Sequence, residues 1–171
     1  MILVRDARPE DLPRLLSIYN HAVVNTSATF DLEPQTMEQR QAWFAHHGPN
    51  YPLLVAEDGR GVLGYACISE YRTKPAYART VESSVYVDER YHGQGVGTAV
   101  MEELLRRAAR IGYHCVLAGI VGGNEGSVRL HTRLGFQPVG CLKEVGFKFG
   151  RWHDVHFYER ILPSEGLWLG P

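Results

Sequence analysis

The sequence predicts a single α+β domain built on a mixed, mostly antiparallel central sheet flanked by helices. Three observations carry this reading. Two apolar runs, 51–56 and 62–68, flank Asp58-Gly59-Arg60-Gly61, whose glycines permit the positive backbone angles of a tight hairpin turn. Residues 81–87 alternate Val81, Ser83, Val85 and Val87 with Glu82, Ser84 and Tyr86, which gives one strand two chemically distinct faces. Helical periodicity at 12–23 and 96–111 is interleaved with these strands without the regular strand–helix alternation of a doubly wound sheet.

In chain order, Ile2 to Val4 reads as an opening strand and Pro9 as a helix-start residue, because its missing N–H costs nothing in a first turn. Leu12, Leu15, Leu16, Tyr19 and Val23 form one helical stripe, which the polar and β-branched residues 25–29 end. Thr36 and Gln39 have capping-box spacing before a short helix over 37–46. After the 51–68 hairpin and the 81–87 strand, Val96, Val100, Leu104, Ala108 and Ile111 mark a long amphipathic helix, with Arg106, Arg107 and Arg110 at its C-terminal end and Gly112 as its stop. Residues 115–121 form a further strand, Asn124 an N-cap, and the helix that follows ends at Gly135. Residues 136–142 and 155–162 are the last expected strands. The domain is expected to span 1–162, with 163–171 as a surface tail.

The chain has 171 residues, enough to bury a core without disulfides or metal. Its 18 basic and 19 acidic residues are intermixed and give a net charge of -1, so the basic stripe of a nucleic-acid binder is missing. Cys67, Cys115 and Cys141 are odd in number, widely spaced and set among apolar neighbours, which fits free thiols in a reducing cytoplasm. Arg5 and Asp6 arrive too early for a signal peptide or a membrane span, and no membrane partner is expected. The pairs His46/His47 and His153/His156 point apart on a helix end and a strand respectively, so no metal is expected.

The chemically informative segment is His92-Gly93-Gln94-Gly95-Val96-Gly97-Thr98, between the 81–87 strand and the long helix. Glycines at such a junction let backbone approach a phosphate, and the unpaired N–H groups of a first helical turn supply donors and positive potential. No Gly-Lys-Ser/Thr follows, and the spacing is not that of the dinucleotide loop, which removes the nucleoside-triphosphatase and Rossmann readings.

Gly95 and Gly97 match the Gln/Arg-x-x-Gly-x-Gly/Ala loop of the GCN5-related N-acetyltransferase superfamily, and His92 stands where that loop carries Gln or Arg. The segment Asn124-Glu125-Gly126-Ser127 followed by Leu130-His131-Thr132-Arg133-Leu134-Gly135-Phe136 resembles the second cofactor block of the same superfamily. Nearly the whole chain, from about Ile2 to Leu162, resembles its phosphinothricin, methionine sulfoximine and L-amino-acid N-acetyltransferase branch. The residues that carry this are Ile18-Tyr19-Asn20-His21, the Thr26 to Phe30 segment, the Thr80 to Val87 strand and the Val145 to Asp154 segment.

The resemblance implies a GNAT-like fold, acetyl-CoA as co-substrate, a small amine as acceptor and a homodimer. It assigns the pyrophosphate to His92, Gly93, Gln94, Gly95, Val96, Gly97 and Thr98, and the pantetheine arm to Val85, Tyr86, Val87, Asn124 and Ser127. His92 in place of Gln or Arg implies a weaker or more pH-sensitive phosphate contact. Glu82 stands where the branch has its general base, needed because an ammonium has no lone pair with which to attack a thioester. His131 stands where many members carry a tyrosine that assists thiol departure, and the sequence leaves open whether it is acid or base. Arg72 is placed like the branch's carboxylate-gripping arginine, which a guanidinium fork suits. Phe30, Thr73, Lys74, Ser83 and Ser84 are further pocket candidates, while Lys148 and Trp152 receive no role. The expected chemistry is direct transfer in a ternary complex, with strand amides polarising the thioester carbonyl. Two rivals stay open: a non-catalytic acyl-CoA sensor, disfavoured by the Glu82 and His131 pair, and an acetyltransferase acting on protein N-termini or lysines.

Overall fold

The computed structural model describes residues 1–163. The expected tail lies, from residue 164 on, outside the described residues. Among the described residues seven strands and four α-helices follow in the order β1 (Leu3–Asp6), α1 (Leu12–Asn25), α2 (Met37–Ala45), β2 (Leu53–Asp58), β3 (Gly61–Glu70), β4 (Thr80–Val87), α3 (Val96–Ile111), β5 (Cys115–Val121), α4 (Glu125–Arg133), β6 (Gln137–Lys148) and β7 (Arg151–Ile161). The strands form one sheet in the order β1-β2-β3-β4-β5-β7-β6. Every neighbouring pair is antiparallel except β4 and β5, which run parallel.

The two sheet faces bury different helices. Val96, Val100, Met101, Leu104 and Ala108 of α3 pack on Leu54, Ala56, Leu63, Ala66, Ile68 and Val81, with Leu134 and Phe136 after α4 joining the same cluster. On the other face Leu15 and Ile18 of α1, with Trp43 and Phe44 of α2, cover Leu53, Val55, Tyr65 and Cys67. Each large apolar side chain removed from water in this way contributes about 1.5–3 kcal/mol. Local chemistry agrees with the packing. The Thr36–Gln39 capping box forms, with Gln39 N–H donating to Thr36 Oγ1 at 3.2 Å and Thr36 N–H to Gln39 Oε1 at 2.8 Å, and Gly112 closes α3 at φ 105°. Arg40 of α2 is buried, with its guanidinium 3.5 Å over the Trp43 ring and a hydrogen bond to the Tyr65 hydroxyl.

Three sequence expectations are corrected. The last two strands were expected to end at 142 and to begin at 155, yet β6 and β7 form one long hairpin that closes over Phe149 and Gly150, at φ 54° and 72°. The period-2 pattern there is broken because the pairing loses register between Leu142 and Gly146, which hides the strand from an alternation test. The α1 helix begins after a single 3₁₀ turn at Pro9–Asp11 rather than at Pro9 itself. Cys141, expected among apolar neighbours, is exposed on β6, although all three cysteines are free as anticipated.

Candidate active site

The site arises from a failure of pairing. β4 and β5 are in register only over Thr80, Val81 and Glu82 against Cys115, Val116 and Leu117. Beyond that point the strands part. The Asp88 N–H donates to the Leu63 carbonyl at 2.9 Å, and the β3–β4 register keeps Val87 opposite Gly64 and Val85 opposite Ala66. Backbone groups of alternate residues in an antiparallel strand turn to opposite sides, so those of Val85 and Val87 face the gap and not β3.

The gap opens into a cleft of about 220 Å³ bordered by Glu82, Ser83, Ser84, Val85 and Tyr86 from β4, Ala118 to Val121 from β5, Asn124, Ser127 and His131 from the α4 region, and Ala28 from the α1–α2 connection. Glu82 shares its strand face with Ser84 and Tyr86, as alternation requires. Its carboxylate accepts no hydrogen bond from another described residue, and burial pushes its pKa above the ordinary glutamate value. Across the gap Gly119 has no side chain, and a Cβ there would stand 3.9 Å from Glu82 Oε1 and 3.4 Å from Val155 Cγ1. The missing Cβ keeps the space beside the carboxylate open.

His131 is buried at 3% exposure, its ring edge-on to Phe136 at 4.9 Å between centroids. Its Nδ1 lies 2.7 Å from the Ser127 carbonyl oxygen. A carbonyl only accepts, so Nδ1 carries the proton and Nε2 keeps its lone pair. Burial lowers the pKa of this imidazole and favours the neutral ring. Asn124 caps α4 by accepting from Ser127 N–H at 3.2 Å, which spends its side-chain oxygen on the helix.

The glycine-rich segment sits at the α3 N-terminus, below the end of β4. Gly93 and Gly95 take φ of 73° and 83°, a left-handed geometry that only glycine adopts at no steric cost. The helix's own hydrogen bonding starts with Ala99 N–H donating to the Gly95 carbonyl at 3.0 Å. The amides of Val96, Gly97 and Thr98 precede it and have no intrahelical acceptor. Gly97 lies where a Cβ would come within 3.2 Å of Leu130 Cδ2, so its absence lets α3 and α4 approach. The loop's side chains turn back on the protein: His92 Nε2 donates to the Val87 carbonyl at 2.9 Å, and Gln94 Nε2 to the Arg90 carbonyl at 3.0 Å. The donors left for an anion are therefore backbone N–H groups, and the His92 ring braces the strand end. Asp88, just before the loop, is gripped by Arg90 and Arg14, which hold its carboxyl well below the usual range.

Not every expected acceptor residue reaches this cleft. Arg72, Thr73 and Lys74 are exposed between β3 and β4, and none borders the cleft. The Arg72 guanidinium lies 5.1 and 5.7 Å from the ring centroids of Tyr71 and Tyr77. Ser83 faces the cleft rim but donates its hydroxyl to the Leu117 carbonyl at 3.3 Å. Phe30 packs over Gly146, where an added Cβ would fall 2.3 Å from its ring, and 6.0 Å from His153. Lys148, without a role in the sequence, is buried and donates from Nζ to the Thr29 carbonyl at 2.8 Å. That bond ties the segment carrying Ala28 to the β6–β7 hairpin. Ala28, Gly119 and Ile120 border the cleft and were not singled out, because small and apolar residues carry no chemical signal of their own.

A splayed strand with free amides, leading to an uncapped helix N-terminus, suits an extended ligand with an amide-bearing arm and a diphosphate. That is the chemistry of coenzyme A. Comparison with known proteins gives the same answer, since the acetyltransferase (GNAT) family matches residues 15–136. The chain belongs to the GNAT acetyltransferase family. The chain is 47% identical over 166 residues to a phosphinothricin N-acetyltransferase of Streptomyces coelicolor, covering 94% of this chain and 96% of that protein. It is 45% identical over 160 residues to an L-methionine sulfoximine/L-methionine sulfone acetyltransferase of Pseudomonas aeruginosa, covering 91% and 92%. A GNAT superfamily phosphinothricin acetyltransferase from Sinorhizobium meliloti, solved in complex with acetyl-CoA, superposes with a TM-score of 0.90 at 37% identity, covering 98% of this chain and 96% of that one. The parted strands and the glycine-rich helix start of this GNAT chain both lie within the matched residues 15–136.

Proposed function

We propose that this GNAT enzyme transfers the acetyl group of acetyl-CoA to the amino group of a small amino-acid-like substrate of the phosphinothricin, methionine sulfoximine or methionine sulfone type. The observation that carries the reading is Glu82, a half-buried carboxylate with a raised pKa at the point where β4 and β5 part. The relatives named for those substrates support the acceptor class.

In this reading Val85 and Val87 backbone groups hold the pantetheine arm in the strand gap, and the amides of residues 93–98 hold the diphosphate. Glu82, directly or through a water, takes the proton that the ammonium must lose before its nitrogen can attack. A carboxylate raised toward neutrality is better matched to that proton than an ordinary one. Backbone N–H groups of β4 stabilise the negative charge that builds on the thioester oxygen. His131, neutral and with its N–H spent on the Ser127 carbonyl, offers a lone pair and no acidic proton, so we assign it as a proton acceptor and not as the acid for thiol departure. The expected outcome is that Glu82→Gln lowers kcat by about 10²- to 10⁴-fold with acetyl-CoA affinity retained. Thiol release at saturating amine, across a panel of amino acids and one peptide amine, measures this. Near-normal turnover removes Glu82 from the role, and peptide acetylation outpacing every amino acid removes the acceptor class.

The working unit is read as a homodimer. Val145, Phe147, Phe149 and Trp152 are all about half exposed or more on the β6–β7 hairpin, with the Phe147 and Trp152 rings in tilted contact at 5.0 Å between centroids. An apolar patch of this kind marks an interaction surface. Glutamate at both Phe147 and Trp152 is expected to shift the sedimenting species from dimer to monomer. Wild-type protein that sediments as a monomer at micromolar concentration contradicts the assignment. The three free cysteines support a reducing, cytoplasmic setting.

A further inference from the structure

On the face of the β6–β7 ribbon turned away from Glu82, donors of three different kinds converge. Cys141 and His156 are opposite one another in the register, and Asp154 stands two residues before His156 on the same strand face. One ligand atom from each lies within 4.8 Å of the others, and Cys141 Sγ is 3.9 Å from His156 Nε2. A tetrahedral zinc ion with bonds of about 2.3 Å to sulfur and about 2.0 Å to nitrogen holds those atoms about 3.5 Å apart. A small rotation of the exposed Cys141 side chain closes the difference.

The surroundings suit a cation. Lys143 Nζ rests 3.2 Å from Asp154 Oδ2, so a tethered positive charge already occupies the carboxylate edge that an ion would take. The other oxygen accepts from Glu144 N–H at 2.8 Å, which fixes the carboxylate's orientation, so an ion would bind the Oδ2 edge in place of the ammonium. Gly122, with no side chain, leaves open the space beside the imidazole, since a Cβ there would stand 3.7 Å from His156 Nε2. Its N–H donates to the Asp154 carbonyl at 2.9 Å, which joins the cluster to the segment leading to Asn124 at the cleft border.

We propose that Cys141, Asp154 and His156 form a site for a borderline-soft divalent cation of the zinc class, with water as the fourth ligand, on the face of the β6–β7 ribbon turned away from Glu82. Sulfur, imidazole nitrogen and carboxylate oxygen together suit zinc, whereas magnesium and calcium call for oxygen ligands only. Binding releases the Cys141 thiol proton to solvent and displaces the Lys143 ammonium from Asp154.

The test is a titration of chelator-treated protein, in its native oligomeric state, with Co²⁺ as a spectroscopic probe and then with Zn²⁺. The expected result is a thiolate-to-cobalt charge-transfer band that saturates at one ion per chain and is lost on adding Zn²⁺. Cys141→Ser should abolish the band and weaken Zn²⁺ binding about tenfold or more, while Lys143→Ala, which removes the competing ammonium, should tighten it severalfold. Neither change touches the acetyl-transfer machinery, so metal-free activity should persist in both variants and report that they are folded. No charge-transfer band, or a band that survives Cys141→Ser, overturns the proposal. Zinc affinity unchanged in both variants does so too.

Discussion

The Glu82 carboxylate takes up a proton in the proposed mechanism, and its protonation also bears on stability. Its pKa is raised by burial alone, so the folded chain holds this proton more tightly than the unfolded chain does. Stability from this group is therefore fully present below the unfolded glutamate pKa and is lost as pH rises through the folded value. At neutral pH the buried ionised carboxylate is destabilising. Glu82→Gln is accordingly expected to raise Tm at pH 8 relative to the parent and to leave it unchanged near pH 4. A variant equally or less stable at pH 8 shows that the carboxylate is not held at a cost. Lys148 is the opposite kind of residue: burial lowers its pKa, yet the Thr29 carbonyl occupies its Nζ. It fastens a cleft wall and has no evident part in proton transfer.

At the scale of elements, the β3–β4 pair sets the far end of the cleft. Gly64 packs so closely on β4 that an added Cβ would stand 2.9 Å from the Tyr86 carbonyl oxygen and 3.1 Å from Val87 Cα. Backbone cannot yield as a flexible side chain can, so Gly64→Ala is expected to cost about 1–3 kcal/mol and to weaken acetyl-CoA uptake by moving Val87. Urea denaturation and calorimetry with the coenzyme measure the two effects, and unchanged affinity separates Val87 from the binding strand. Gly64 illustrates what the sequence conceals, since in the run 62–68 it looks like any small residue and its neighbour across the sheet is 23 positions away. By contrast the turn geometry at Gly93 and Gly95 was legible in residue type and spacing, while Glu82 and His131 stand out by resemblance to a family strand and helix, and both border the cleft. Arg72 was legible as a cation but not as a position, and the β6–β7 hairpin was hidden by its lost register.

At the scale of the molecule, periodicity revealed most elements, while the single parallel pair and its short register came only with coordinates. Pairing over Thr80 to Glu82 is the direct strand bonding between β1–β4 and β5–β7. The sheet is thus two antiparallel leaves stitched along one edge. In the proposed binding mode a coenzyme arm bonded to the open edge would act as a suture and make the loaded enzyme stiffer than the empty one. Amide exchange at Val85 is expected to slow by about tenfold or more at a coenzyme concentration well above Kd, while α3 core amides such as Leu104 change little. If Val85 exchanges at one rate in both states, the arm does not run along that edge. One apolar core under α3 still joins the two leaves, so on the proposed binding mode only the open edge would loosen without coenzyme, and amine entry and thiol exit would share their timing with that seam and not with the chemistry at Glu82.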